Sequence, residues 1–175
     1  ISALVDAGLS KTILRNELTK LKVKGFDLEF KEDSRGGVSG THLNVRLNNE
    51  AKSIERWSQF ATILDASGLS ESVKEKSKLV FKRLQDAESQ SHKELAEQVH
   101  LHELGSLDTL VDVVGSVVGF EFMGVERIYS SPLPSSSGVI KSGHGNLPIP
   151  APATMNLMVE SSAITSPPIL ERDTR

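Results

Sequence analysis

The chain has 175 residues, 38% of them hydrophobic, with no cysteine and a formal net charge of −3 at pH 7. Such a length buries one domain core, or a core with a smaller lobe, and the missing cysteines exclude both a disulfide framework and a thiolate metal site while fitting a reducing compartment. Residues 1–99 hold 16 basic and 15 acidic side chains and residues 100–175 hold four and eight; this excludes the clustered Lys and Arg that a nucleic-acid face needs and suits a cation in the second half.

Residues 1–7 open inside an amphipathic helical pattern with no cap and no secretory-signal pattern, so the expectation is a chain cut from a longer domain. Ser10 is placed to cap a second helix carrying Ile13, Leu14, Leu18 and Leu21. Residues 26–30 and 41–47 alternate apolar and polar side chains, which predicts two strands with one buried face, joined by a hairpin loop over Gly36, Gly37 and Gly40. From Ser53 the spacing predicts a helix with Ile54, Trp57, Phe60, Ala61 and Leu64 on one side and a stop at Gly68. Ser70 starts another, whose buried stripe is Val73, Ser77, Val80, Phe81 and Leu84 and whose Lys74, Lys76, Lys78, Lys82 and Arg83 form a solvated face. Polar residues 88–99 continue that helix.

The most apolar run, residues 107–123, is interrupted by Asp108, Asp112 and Glu121, so it predicts a core helix and no membrane span. Its Leu and Val residues surround the axis and imply burial on most sides; Gly115 and Gly119, one turn apart, let a neighbouring backbone approach. Residues 127–131 read as a strand, 132–138 as a surface loop, and Val139 and Ile140 as a short strand. Pro148, Pro150 and Pro152 give an extended lead into a helix starting near Ala153. The fold class is α+β, mixed helices and short strands with a buried apolar helix near 107–123. Residues 1–50 make a helix and hairpin lobe, and residues 51–175 a helical core with short strands and Pro-rich loops.

Chemistry concentrates in His100, His102, Glu103, Asp108 and Asp112. In an extended segment His100 and His102 point the same way and can share a metal, and imidazole favours nickel, zinc, copper or iron over magnesium; a capped or buried histidine pair is the alternative. Asp108 and Asp112 share a helix face and repel each other without a cation. Asp108 also suits a helix N-terminus, with Ser106 as its cap. Asp112, set among Val111, Val113 and Val114, needs coordination or an ion pair to offset desolvation, with Arg127 or Arg46 as the partner. Glu103 serves as a ligand, a general base or an acceptor that orients an imidazole. His144, between Gly143 and Gly145, is open to ligand or solvent, and Lys141, Ser142 and the backbone amides of 143–145 offer a phosphate cradle.

In order along the chain, Val-His-Leu-His-Glu-Leu-Gly-Ser-Leu-Asp at 99–108, Tyr-Ser-Ser-Pro-Leu-Pro at 129–134, and His144-Gly145 followed by Pro-Ile-Pro-Ala-Pro-Ala-Thr at 148–154 resemble the LarC-type nickel insertion protein family. Ser67-Gly68-Leu69-Ser70 and the helix over 73–84 extend the resemblance over nearly the whole chain, while Ser136 and Ser137 stand where the family tends to have glycine. The resemblance implies a cytoplasmic nickel-inserting lyase, a cyclometallase or chelatase, acting on pyridinium-3,5-bisthiocarboxylic acid mononucleotide. Two nickel–sulfur bonds and one nickel–carbon bond complete the nickel-pincer cofactor of lactate racemase. It also implies CTP with Mn2+ or Mg2+ in a C-terminal domain outside this chain, a strand and an Asp-Cys-x-x-Gly-x-Ser-Gly-Asp segment before Ile1, and inactivity of this region alone.

Residue chemistry and resemblance together give an expected site. His100, His102, Asp112 and Asp108 hold Ni2+, Glu103 or His144 accepts the ring proton, and Lys141, Ser142, Gly143 and Gly145 hold the nucleotide phosphate. Expected partners are the pyridinium mononucleotide and lactate racemase as recipient, with no nucleic acid and no membrane; a homo-oligomer is left open. Two other readings use the same residues: a metal-dependent hydrolase, and a non-enzymatic nickel carrier or scaffold.

Overall fold

A computed structural model describes residues 1–92, 101, 104–134, 137–142 and 145–166. The chain forms two compact units, the first made of residues 1–81 and 100–126 and the second of residues 82–99 and 127–175. Among the described residues the architecture is α+β, with helices and short strand pairs.

Unit 1 opens with α1 (Ser2–Asp6) and α2 (Lys11–Thr19); Ser10 stands at the N-cap of α2, but its hydroxyl makes no capping bond. The hairpin strands β1 (Phe26–Arg35) and β2 (Val38–Leu47) pair from Phe26 opposite Leu47 to Arg35 opposite Val38. They outrun the expected strands because the turn is tighter: Gly36 and Gly37, at φ of 58° and 82°, supply the left-handed pair that a two-residue hairpin turn needs. Gly40, expected in the loop, therefore lies inside β2 opposite Asp33. Alternation holds, with Leu28 buried and polar neighbours outward. Helix α1 lies along the free edge of β2, where the Thr41 N–H donates to Asp6 Oδ2 at 2.9 Å and the Leu43 N–H to Ser2 Oγ at 3.0 Å.

Helix α3 (Trp57–Ala66) starts later than its periodicity predicts. Ile54 is buried as expected, yet its N–H donates to the Gly105 carbonyl at 3.0 Å and the Glu55 carbonyl accepts from Leu101 N–H at 3.3 Å. Backbone groups spent on another segment cannot join a helix. Ser70 does cap α4 (Glu71–His92), accepting the Val73 N–H at 3.2 Å; the predicted continuation over 93–99 lies outside the described residues. Its buried stripe is Val73, Ser77, Phe81 and Ala87, whereas Val80, expected inside, is 39% exposed. The basic side chains of this helix pair with carboxylates: Lys74 with Glu71, Lys76 with Glu121, Lys78 with Asp65, Lys82 with Asp86 and Arg83 with Glu160.

Helix α5 (Leu107–Phe122) is the apolar helix that the sequence predicts. It buries Leu107, Leu110, Val111, Val114 and Val118 against a core that includes Leu14, Phe60 and Leu64. Phe60 stacks on Phe81 with centroids 4.1 Å apart, and Trp57 tilts against Phe60 at 5.9 Å. The close approach at the two glycines is made by side chains: a Cβ at Gly115 would meet Ile1 Cδ1 at 2.6 Å, and one at Gly119 would meet Leu4 Cδ1 at 2.7 Å.

In unit 2, β3 (Leu133–Pro134) pairs in parallel with β6 (Thr165–Ser166), and β4 (Val139–Ser142) pairs antiparallel with β5 (Gly145–Pro148). Pro152 occupies the first turn of α6 (Pro152–Glu160), where its missing N–H costs nothing. Asn156 Nδ2 of α6 donates to the Ala87 carbonyl at 3.2 Å and to Ser91 Oγ at 3.1 Å. Residues 127–131, expected as a strand, are exposed and have no ladder partner among the described residues. No described helix is long and apolar enough to cross a membrane.

Candidate functional site

The head of α5 is built by local chemistry. Ser106 takes the N-cap in an extended conformation and its Oγ accepts the Thr109 N–H at 3.2 Å, while Asp108 in the first turn faces the positive end of the helix dipole. Asp112 follows one turn later on the same face, and both carboxylates are exposed. The expected pair of Asp112 with Arg46 or Arg127 does not form: Arg46 Nε is held by Glu29 at 2.6 Å, and Asp112 has no ion-pair partner among the described residues. Val111 beside it is buried and Val113 half-buried, and the helical period turns Asp112 out.

Although exposed, the Asp112 carboxyl is partly desolvated, and that pushes its pKa above the usual aspartate range; Asp108 raises it further and the amino group of Ile1 opposes the rise. A cation between the two carboxylates would relieve both raising effects. Two carboxylates are too few for a metal cage, and no group of three His, Asp or Glu side chains comes together among the described residues.

The segment that precedes α5 is anchored from below. Gln59 Oε1 accepts the N–H groups of Glu55 and Arg56 at 2.8 and 2.9 Å, fixing the strip whose backbone binds Leu101 and Gly105. Gly105 is required here, since a Cβ would lie 2.3 Å from the Ile54 carbonyl oxygen and 2.8 Å from that of Leu101. His100, His102 and Glu103 lie outside the described residues, as do Gly143 and His144. The anchoring role of Gly105 escaped sequence reasoning, because its long-range partner Ile54 is not legible from spacing.

The expected phosphate residues Lys141, Ser142 and Gly145 come together on β4 and β5: Ser142 is opposite Gly145 and Lys141 opposite Asn146, with the Lys141 side chain exposed. Gly145 adopts φ of 96°, which favours glycine. These residues belong to unit 2 and the carboxylate pair to unit 1.

Another carboxylate on α5 has a structural role. Glu121, near the end of α5, accepts from Ser70 Oγ at 3.0 Å, Ser72 Oγ at 2.5 Å and Lys76 Nζ at 3.3 Å. These donors, Ser72 foremost, hold its pKa below the usual glutamate range and tie α5 to the start of α4. Glu121 lines a surface cleft of about 260 Å³ with Lys20, Val118 and Phe122.

Among the described residues, the α+β fold presents an exposed carboxylate pair at the head of its buried helix. The model of the family described as "Nickel insertion protein" matches residues 1–172, and the chain belongs to that family. A relative carrying the family's name in Citrifermentans bemidjiense is 41% identical over 158 residues, covering 90% of this chain and 41% of the relative. Another in Thermomicrobium roseum is 41% identical over 174 residues, covering 99% of this chain and 43% of its own. The pyridinium-3,5-bisthiocarboxylic acid mononucleotide nickel insertion protein of Desulfitobacterium hafniense is 39% identical over 158 residues, covering 90% of this chain and 39% of its own. The chain thus spans about two fifths of the length of the curated relatives it matches. No solved structure matches it.

Proposed function

We propose that this chain is the nickel-handling region of a protein that inserts Ni2+ into pyridinium-3,5-bisthiocarboxylic acid mononucleotide. Membership of the nickel insertion family carries the proposal, and Asp108 and Asp112 at the head of α5, without an ion-pair partner among the described residues and directly after the histidine segment in sequence, support it.

Nickel is cargo in this scheme. His100, His102, Asp112 and Asp108 hold the ion through nitrogen and oxygen, and the softer sulfur atoms of the substrate then take it over. Formation of the nickel–carbon bond releases the ring proton, which Glu103 or His144 accepts. Lys141, with Ser142, Gly143 and Gly145, holds the nucleotide phosphate. CTP and its Mn2+ or Mg2+ belong to polypeptide outside these residues, and no step here is routed through them. We assign the completed protein to the lyases and to the cytoplasm, with lactate racemase as recipient of the product.

Calorimetric titration of nickel into the chain tests the site. Asp112→Asn and His102→Ala are each expected to weaken binding about tenfold or more. Unchanged affinity in both folded variants would remove the site.

A further inference from the structure

We propose that unit 2 takes a further strand along the β4–β5 pair, supplied in cis by polypeptide that the longer relatives carry outside the matched region. The inference is independent of the nickel site.

Unit 2 has no hydrophobic core of its own among the described residues: of the buried hydrophobic side chains, only Ala87 belongs to it. Several of its large apolar residues face outward instead, with Ile128 69% exposed, Tyr129 83%, Val159 71% and Ile164 73%, while Leu84, Leu147, Leu157 and Met158 are half-buried. Successive strand residues point to opposite faces, and both Val139 at 67% and Ile140 at 51% are exposed, so β4 offers an apolar side chain on each face. That pattern belongs to a strand covered on both sides. Among the described residues its sheet is two-stranded, an arrangement that is marginal in water without a further strand or a packed layer.

The length of the relatives selects the occupant. More than half of each lies outside the matched part, since the chain covers 41%, 43% and 39% of the three described above. A strand from that polypeptide would pair with the outer edge of β4, which has no strand partner other than β5 among the described residues, and the layer it brings would cover Val139 and Ile140.

Amide hydrogen exchange on the full-length protein tests this. The β4 amides are expected to exchange about a hundredfold more slowly than unprotected chain. In the same protein Ile140→Glu is expected to lower the midpoint of thermal unfolding by about 4 °C, while Val38→Glu, at a position 75% exposed beside the hairpin turn, leaves it in place. Unprotected β4 amides, or equal effects of the two substitutions, would overturn the proposal. So would protection that disappears on dilution, since a second copy would then be the occupant.

Discussion

Asp112 is the residue at which charge and shape conflict most plainly. Its raised pKa means that the folded chain holds a proton more tightly than the unfolded one, so stability falls as pH rises from the ordinary value of 3.8 through the raised value, then levels. Asp112→Asn is therefore expected to remove that fall and to stabilise the metal-free chain at neutral pH, as thermal unfolding across an acid-to-neutral series would show. Nickel affinity has the opposite slope: protons compete with the ion, and binding weakens as pH falls through the same interval. Ser106 has a simpler role, and Ser106→Ala is expected to cost about 1 kcal/mol by denaturant unfolding. The cap and the shared face of Asp108 and Asp112 were legible because both follow from helical spacing. The missing ion pair was not, because the Arg46 guanidinium is engaged by Glu29, across a strand pairing that spacing does not reveal.

Among the elements, α5 was legible from its apolar run and α4 from its cap, whereas the start of α3 was not. Periodicity cannot reveal that Ile54 and Glu55 give their backbone to Gly105 and Leu101, nor that two glycines suffice to turn the hairpin. The same long-range bonds make Gly105 sensitive. Gly105→Ala is expected to break the tie to Ile54 and weaken nickel binding, while Gly68→Ala, whose Cβ would meet Lys20 Cβ at an ordinary 3.6 Å, leaves it intact. Titration of both variants checks this, and equal affinities would separate the tie from the site. The seam of α5 with the opening residues is equally close, so Gly119→Val is expected to cost about 1–3 kcal/mol through overpacking against Leu4 and Leu9, measurable as a shifted denaturant midpoint.

At the scale of the whole molecule, nearly all the buried hydrophobic side chains of the described residues lie in unit 1, and Leu110→Ala among them is expected to cost about 2–5 kcal/mol. The carboxylates of Asp6, Asp27, Glu29 and Glu121 all titrate below their ordinary values, so their stabilising contribution is present above those values and lost as pH falls through the lowered ones. The α+β class was legible in the sequence, because helical and strand periodicities are local. The strand expected over 127–131 was not correct, since a ladder depends on an available partner, which local alternation cannot supply. One local detail provides a signal for the entire site. Trp57 is the single tryptophan of the chain, its indole buried with no partner for Nε1 among the described residues, and it follows directly on the strip that anchors Leu101 and Gly105. Its emission is thus a dye-free optical gauge: a paramagnetic ion bound beyond that anchor should dim a lone fluorophore already shielded from solvent.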